Sequence, residues 1–361
     1  MSKKTICVLF GGRSSEHEVS CMSAANIIQY LDKERFEVIP VGITKEGNWY
    51  LYQGDLEKVR AGAWTQGRNK ACILSPDPKH HGLLVFNKNG DTFIQHIDVI
   101  IPALHGKNGE DGTVQGLFEL SGIPYMGCGV LASSMCMDKV ITKKLLQAAG
   151  IPVTDGFDLS DFQEGETEAV HNRIIDSVGY PVVVKPSNAG SSVGVSLVKT
   201  KEELKPALVL AAANDRKILV EKAVDAREIE CAVLGGYHDA KASCPGEIGK
   251  SVEVYDYETK YVTDDSEQLV PADLPPEVAE QIRETAVRAF KALDCFGLAR
   301  VDFFLEKQTG NIMLNEINTL PGFTNISMYP MMWEKSGLSN TALLTRLVEL
   351  GLARQGSEQV G

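Results

Sequence analysis

The segment NEINTLPGFT, residues 315–324, is the most informative about the fold of this chain, because an apolar run ends there and a loop with proline and glycine begins. Oxygen-bearing side chains stand at the ends of two apolar runs, 298–305 and 312–317; they are Asp302, Glu316 and Asn318. If the runs pair as neighbouring strands, these side chains converge, because residues two apart share a face of a strand. Two carboxylates and an amide suit magnesium, which binds carboxylate and phosphate oxygens. A lone acid would be explained as a solvated strand end, but the set of three favours a metal site.

The composition bounds the class of ligand. The chain has 361 residues, 43% of them apolar, which is enough for two or three domains. Its 48 acidic and 36 basic residues give a net charge of −12, which argues against nucleic-acid binding because that needs a basic stripe. We therefore expect small-molecule partners, with any phosphate neutralised locally by a few Lys, Arg and Mg²⁺.

Cysteine usage and the apolar runs bear on localisation. The eight cysteines are scattered without a C-x-x-C pair, which favours free thiols in a reducing cytoplasm. The apolar run at 5–10 ends at Gly11-Gly12 and is too short for a secretory signal. No run approaches the ~18 apolar residues of a membrane span. These patterns predict a cytoplasmic protein without membrane association.

The first part of the chain alternates strand, turn and helix patterns. Apolar runs at 6–10, 38–43 and 99–104 are typical of buried strands, and the first ends at Gly11-Gly12. This alternation predicts an α/β domain with a parallel sheet over residues 1–125.

Two further features of this domain give testable expectations. Ser20 is positioned to cap the helix that follows the first turn, in which apolar residues recur at helical spacing. The stretch 50–96 is polar and irregular and is interpreted as a peripheral insertion.

Two smaller α+β units are predicted beyond this domain. The central unit, 126–222, begins with a helix that Asp138 can cap and includes a strand at 192–198. The last unit, 223–361, carries the two polar-ended strands and a long charged loop, 253–267. A connection of that length is usually a lid or disordered, and we expect this one to be mobile without ligand and to close over the substrates.

Several loops have the composition of ligand sites. The loop 185–194 is opened by Lys185 and is rich in small residues, so its backbone can close over phosphates, although it lacks the P-loop order. His105 follows a strand at its carboxyl end, and Glu16 lies in the corresponding first loop, so both are expected to face one cleft. A flexible turn and an ordinary loop histidine remain alternatives from these patterns alone.

Taken together, the motifs resemble those of the D-alanine–D-alanine ligase family of the ATP-grasp superfamily. The resemblance runs from residue 6 to about residue 352 with the blocks in the family's order. It implies an ATP-grasp fold, in which a Rossmann-like parallel α/β domain precedes two α+β subdomains that enclose the nucleotide. The matching blocks are 11–20, 105–112, 137–139, 185–194, 297–303 and 315–324.

The resemblance also implies a role for individual residues. It implies that ATP is contacted by Lys139, Lys185, Ser192, Glu221, Glu228 and Asn315. It implies that two Mg²⁺ ions, or Mn²⁺ in their place, are coordinated by Asp302, Glu316 and Asn318. The catalytic set is Glu16, Ser191, Tyr261, Arg300 and Gly322. The residues implied to bind the amino-acid substrates are His105, Lys260, Ser327 and Met328.

The implied activity is joining of two D-alanines at the expense of ATP, through an acyl phosphate, for bacterial peptidoglycan synthesis. A homodimer and activation by K⁺ are further expectations from the resemblance.

Alternatives within and outside this activity remain. The Lys260-Tyr261 pair favours D-alanine as acceptor over D-lactate, whereas a D-serine ligase of the glycopeptide-resistance type can keep this pair, and the fragment 42–64 resembles the serine type. A non-catalytic nucleotide-binding regulator is disfavoured because Arg300 and the metal ligands are present. Another ATP-grasp carboxylate–amine ligase, such as a purine-pathway enzyme, is disfavoured by Glu16.

Overall fold

Three β-sheets organise the chain in the computed structural model, which describes residues 2–190, 192–249 and 268–358. Side chains are described as far as Arg354. The sheets have seven, four and six strands and follow one another along the sequence. Among the described residues, no helix is long and apolar enough to cross a membrane.

The first sheet has the strand order β6-β5-β4-β3-β2-β1-β7. Its strands are β1 (Lys4–Gly11), β2 (Phe36–Ile43), β3 (Trp49–Tyr52), β4 (Asn69–Leu74), β5 (Gly82–Phe86), β6 (Thr92–His96) and β7 (Val99–Ala103). The associated helices are α1 (His17–Tyr30), α2 (Leu56–Arg60) and α3 (Thr113–Ser121). Strand β1 pairs in parallel with both β2 and β7, which confirms the parallel sheet predicted from the three apolar runs.

The interpretation of residues 50–96 as a peripheral insertion is wrong. Strands β3 to β6 extend the sheet antiparallel from β2. Trp64 between them is fully buried and packs edge-on against Phe10 of β1. A Cβ on Gly42 would lie 2.6 Å from its ring, so glycine is required there for this close approach. The segment looks irregular in sequence because its strands are short, four to six residues each, and are separated by polar connections.

Ser20 does not cap the first helix, contrary to the expectation. Helix α1 begins at His17, and Ser20 lies one turn inside it. The Ser20 hydroxyl instead donates to the Ala103 carbonyl (2.5 Å) and accepts from the Gly11 amide (2.7 Å). The side chain therefore ties the helix to the carboxyl ends of β1 and β7.

The central sheet has the antiparallel order β10-β9-β11-β8. Its strands are β8 (Gly156–Ser160), β9 (Val182–Pro186), β10 (Ser196–Val198) and β11 (Lys217–Lys222), and the nearby helices are α4 (Val130–Met137), α5 (Lys139–Ala148), α6 (Thr167–Ser177) and α7 (Lys201–Ala212). Asp138 accepts from the Ile141 amide (3.2 Å), which confirms it as the cap of α5. Strand β10 is shorter than predicted because Ser192 and Gly194 adopt positive φ angles and turn the backbone.

The last sheet runs β15-β14-β12-β16-β17, with β13 beside β12. Its strands are β12 (Ala226–Gly235), β13 (Lys241–Ala242), β14 (Gly246–Ile248), β15 (Gln268–Leu269), β16 (Gly297–Glu306) and β17 (Ile312–Asn318). The helices are α8 (Pro276–Ala292), α9 (Met328–Lys335) and α10 (Asn340–Glu358). Strands β16 and β17 are antiparallel neighbours, as predicted from their apolar runs.

The burial of Trp64 makes residues 50–96 part of the core, and mutation tests this. We expect Trp64→Ala to lower the free energy of unfolding by about 3–5 kcal/mol, because a large buried ring leaves a cavity. Ile94→Ala is the matched control: this truncation removes an exposed side chain from β6 and should cost less than about 0.5 kcal/mol. Equal, small losses in denaturant titrations of both variants would contradict the assignment.

Candidate active site

A cleft of about 650 Å³ lies where the three sheets approach one another. The first sheet contributes the loops after β1 and β7, the central sheet contributes β9 and its loop, and the last sheet contributes β12, β16 and β17. The cleft brings together most of the residues singled out in the sequence. Those that line it are Glu16, His105, Lys139, Lys185, Ser192, Glu228, Arg300, Asn315, Glu316, Asn318, Gly322, Ser327 and Met328.

The last sheet presents its polar residues to the cleft by strand alternation. Asp302 pairs with Glu316 across β16 and β17, and Arg300 pairs with Asn318. The intervening residues Val301 and Ile317 belong to the apolar core on the opposite face. The predicted convergence of the three oxygen-bearing side chains is therefore present in the structure.

Arg300 is held in place by acidic neighbours. Its guanidinium donates to both oxygens of Asp302 (2.8 and 2.7 Å) and lies 3.1 Å from the buried carboxylate of Glu230. The Asn318 amide donates to the same Asp302 carboxylate (3.0 Å). This planar fork on a carboxylate orients a permanent positive charge in the cleft.

A β-bulge supplies one more polar group. The register shifts after Asp302, so that Phe303 pairs with Leu314 and Asn315 becomes the extra residue. The Asn315 side-chain oxygen is buried and has no hydrogen-bond partner in the described part of the structure. Because a buried unpaired acceptor is costly, this atom is suited to a ligand that donates or coordinates.

The oxygen donors of this region are chemically suited to a divalent cation. Asp302 and Glu316 supply two carboxylates, and Asn318 supplies an amide oxygen. Within residues 2–190, 192–249 and 268–358, no three acidic, His or Cys side chains group to hold a metal by themselves. A cation here would therefore need the amide and additional oxygens from a phosphate.

Two lysines project into the cleft from the central unit. Lys139 contacts the Ala189 carbonyl (2.8 Å) and lies 3.5 Å from Glu316. Lys185 lies 2.5 Å from the Glu221 carboxylate, which also contacts buried Lys143. These ammonium groups place positive charge opposite the acidic strands, where phosphates would need it.

Glu221 is buried and faces the lysines rather than the open cleft. Burial by itself raises the pKa of Glu221, but Lys185 and Lys143 outweigh burial and lower it. Burial lowers the pKa of Lys143 despite the attraction of Glu221. The carboxylate is thus shared by two lysines and orients Lys185.

The opposite end of the cleft holds three titratable groups from the first domain. The Glu16 carboxylate lies beside Gly106 and Gly190, where an added Cβ would come within 2.6 and 3.2 Å of it. Burial lowers the pKa of His105, whose Nδ1 donates to the Leu320 carbonyl (3.0 Å). Burial raises the pKa of Glu110 to about 8, and repulsion from Glu16 acts in the same direction.

Ser327 precedes helix α9 at its N-cap position, as expected for a residue near a helix start. Its hydroxyl accepts from the Thr324 amide (2.8 Å) and does not cap the helix. A Cβ on Gly322 would lie 2.8 Å from this hydroxyl, so the glycine and the serine are adjacent at the cleft wall.

Some of the predicted site residues lie outside the described part of the chain, and some residues of the site were not predicted from the sequence. Ser191, Lys260, Tyr261 and the loop 253–267 lie outside the described residues. Sequence reasoning did not single out Lys143, Glu230 or Glu110. Each had a signal: Lys143 is one helical turn after Lys139, Glu230 is one strand alternation after Glu228, and Glu110 is within the 105–112 block.

Comparison with known proteins bears on the whole chain. A family model described as D-ala D-ala ligase N-terminus matches residues 5–128, and one described as D-ala D-ala ligase C-terminus matches residues 145–349. The D-alanine–D-alanine ligase of Acetivibrio thermocellus is 50% identical, with 98% of this chain and 96% of the relative covered. That of a Thermoanaerobacter species is also 50% identical, with 98% and 97% covered.

Solved structures of related ligases are similar to this chain over nearly their whole length. The VanG D-Ala:D-Ser ligase from Enterococcus faecalis superimposes with a TM-score of 0.88 at 39% identity, over 97% of this chain and 100% of that one. The D-alanine–D-alanine ligase from Coxiella burnetii gives 0.85 at 38% identity, over 99% and 97%.

The three sheets around a cleft with lysines and paired carboxylates define an ATP-grasp ligase, which confirms the fold and enzyme class predicted from the sequence. Within that class, the chain belongs to the D-alanine–D-alanine ligase family.

The raised pKa of Glu110 predicts a pH-dependent stability. An ordinary Glu titrates near 4.3 when unfolded, so the folded protein holds an extra proton from about pH 4 to its folded pKa of about 8. The stability that this group contributes is fully present below about pH 4 and is lost as the pH rises through 8. Glu110→Gln cannot titrate, so its free energy of unfolding relative to that of wild type should increase by at least about 1 kcal/mol as the pH rises from 5 to 8.5. Parallel pH–stability curves for the two proteins would contradict this.

Proposed function

We propose that this chain joins two D-alanine molecules into D-alanyl-D-alanine at the expense of ATP, for bacterial peptidoglycan synthesis. One observation carries the proposal: Arg300 and Glu316 line the same cleft as Lys185 and Glu16, and buried Asp302 is paired with Arg300. Residues suited to binding phosphates and residues suited to binding an amino acid therefore line one cleft. Relatives 50% identical over nearly the whole chain are D-alanine–D-alanine ligases, which supports this substrate.

The reaction needs an activated carboxylate, because a carboxylate oxygen is a poor leaving group. An oxygen of the first D-alanine carboxylate attacks the γ-phosphorus of ATP, and ADP leaves. The amine of the second D-alanine attacks the acyl phosphate and loses a proton, and phosphate leaves with the carboxylate oxygen. Lys139 and Lys185 hold the phosphates, with Lys185 oriented by Glu221.

The oxygen donors Asp302, Glu316 and Asn318 would hold Mg²⁺ in this site, with Mn²⁺ as a substitute. Their two carboxylates and amide oxygen match the donors that Mg²⁺ prefers. The bound metal would supply charge neutralisation to the transferring phosphoryl group.

Attack of the amine creates a tetrahedral oxyanion, which needs donors that are already oriented. Arg300 suits this role because Asp302 and Glu230 fix its guanidinium. The backbone of Gly322 lies on the same cleft wall. Arg300 keeps its charge at any working pH.

The amino-acid substrates bind at the two ends of this wall. Glu16 offers a buried carboxylate to the ammonium of the first D-alanine, next to His105. Ser327 and Met328, at the start of α9, receive the carboxylate of the second, where helix N–H groups favour an anion.

Product analysis tests the proposal directly. Phosphate release with D-alanine alone should match formation of the dipeptide, while added D-serine or D-lactate should be incorporated less than D-alanine. Dominant incorporation of D-serine would instead assign a D-Ala:D-Ser ligase activity, the activity for which the VanG relative is named. No ATP-dependent product from any of these acids would refute the proposal.

The metal role of Glu316 predicts a specific loss. Glu316→Gln should raise the barrier to turnover by several kcal/mol, on the order expected when a metal's charge stabilisation is lost. Nucleotide binding should weaken less, since Lys139 and Lys185 remain. Glu306→Gln, at the far end of β16, is the control and should turn over normally. Near-normal turnover of Glu316→Gln would remove this residue from the mechanism.

The family resemblance further supports a cytoplasmic homodimer activated by K⁺. Size-exclusion chromatography with light scattering, and turnover in K⁺ against Na⁺, test the last two points. A monomer or equal rates in both salts would refute them.

A further inference from the structure

The loop that joins β17 to α9, residues 319–327, carries Gly322 and Ser327 and is held from outside its own domain. We call it the 319–327 loop. Gly322 and Ser327 lie in the cleft wall, so a small displacement of this loop would misplace both. The loop's geometry is therefore a condition for the chemistry proposed above.

Side chains from the first domain bind the loop on both sides of Gly322. His105 donates to the Leu320 carbonyl (3.0 Å), and the Phe323 amide donates to the Ser23 hydroxyl (3.1 Å). The Asn26 amide donates to the Phe323 carbonyl (2.8 Å) and to the Asn325 side-chain oxygen (3.0 Å). Helix α1 thus holds the backbone immediately after Gly322.

Asn26 is itself oriented by Arg60 of α2. Arg60 donates to the Asn26 side-chain oxygen (2.5 Å) and to the exposed Gln29 side chain (2.9 Å). Because a guanidinium can only donate, the Asn26 oxygen must face Arg60 and its NH₂ group must face the loop. Asn26 is buried, so a rotated amide would leave both sides unpaired.

We propose that Asn26, oriented by Arg60, is a positioning residue that fixes the 319–327 loop for the tetrahedral step. The inference rests on the proposed function, since it concerns the same Gly322. Residues 50–96 thereby gain a role in the active site, because Arg60 lies within them. Neither Asn26 nor Arg60 lines the cleft, so both act through the loop.

The test variant is Asn26→Asp, which is nearly isosteric and keeps an acceptor for Arg60. It replaces the NH₂ donor by an oxygen that repels the Phe323 carbonyl. Loss of two hydrogen bonds to the loop should lower kcat by roughly tenfold to a hundredfold, with the KM for ATP changed less than about twofold. Gln29→Ala is the matched control: it also removes a partner of Arg60 but does not touch the loop, and it should match wild type.

A second measurement separates positioning from general destabilisation. A phosphinate dipeptide analogue mimics the tetrahedral intermediate, so its affinity in the presence of ATP should fall by roughly tenfold in Asn26→Asp, while ADP affinity is unchanged. Destabilisation alone would weaken both ligands together. If Asn26→Asp does not fold, Arg60→Ala frees the Asn26 amide to rotate and should give a smaller loss of the same kind.

The outcomes distinguish this inference from the proposed function. A wild-type protein that makes the dipeptide, with Asn26→Asp and Arg60→Ala equally fast and equally tight for the analogue, would overturn the positioning role. A wild-type protein that makes no dipeptide would overturn the proposed function itself.

Discussion

The antiparallel pairing of β16 with β17 is the constraint on which the site depends. It sets Asp302 opposite Glu316 and turns the alternate residues into an apolar core. A one-residue slip would send every one of these side chains to the wrong face. The bulge at Asn315 changes the register only beyond this pair, so the carboxylates stay together while an amide is added.

The charges around this hairpin are mutually arranged. Arg300 is shared by Glu230 and Asp302, and Lys139 approaches Glu316. On the far wall, Glu221 is shared by Lys143 and Lys185. Breaking a buried pair costs several kcal/mol, because one charge is left without a partner. The cleft therefore holds oriented charges of both signs before a ligand enters.

Much of the fold could be predicted because it follows from patterns among residues close together in the sequence. The parallel strands, the Asp138 cap and the β16–β17 pair each follow from apolar spacing or a capping residue within a few positions. Lys185, Gly190 and Ser192 line the cleft, and the positive φ angles of Ser192 and Gly194 make β10 shorter than predicted.

The failures have physical causes. Residues 50–96 form strands of only four to six residues with polar connections between them, so no local pattern indicated that Trp64 is buried. Ser20 bonds to two strand ends instead of its own helix, a choice that only the tertiary arrangement settles. The contact from Asn26 to Phe323 spans 297 positions and has no local signature.

The chemistry proposed for this cleft is activation of a carboxylate by phosphorylation. It is tested most directly with D-alanine labelled with ¹⁸O in both carboxylate oxygens. After turnover with ATP, each phosphate released should carry one labelled oxygen, and the new peptide carbonyl should keep the other. Phosphate free of label, released in step with dipeptide, would contradict an acyl phosphate and with it the mechanism assigned to this site.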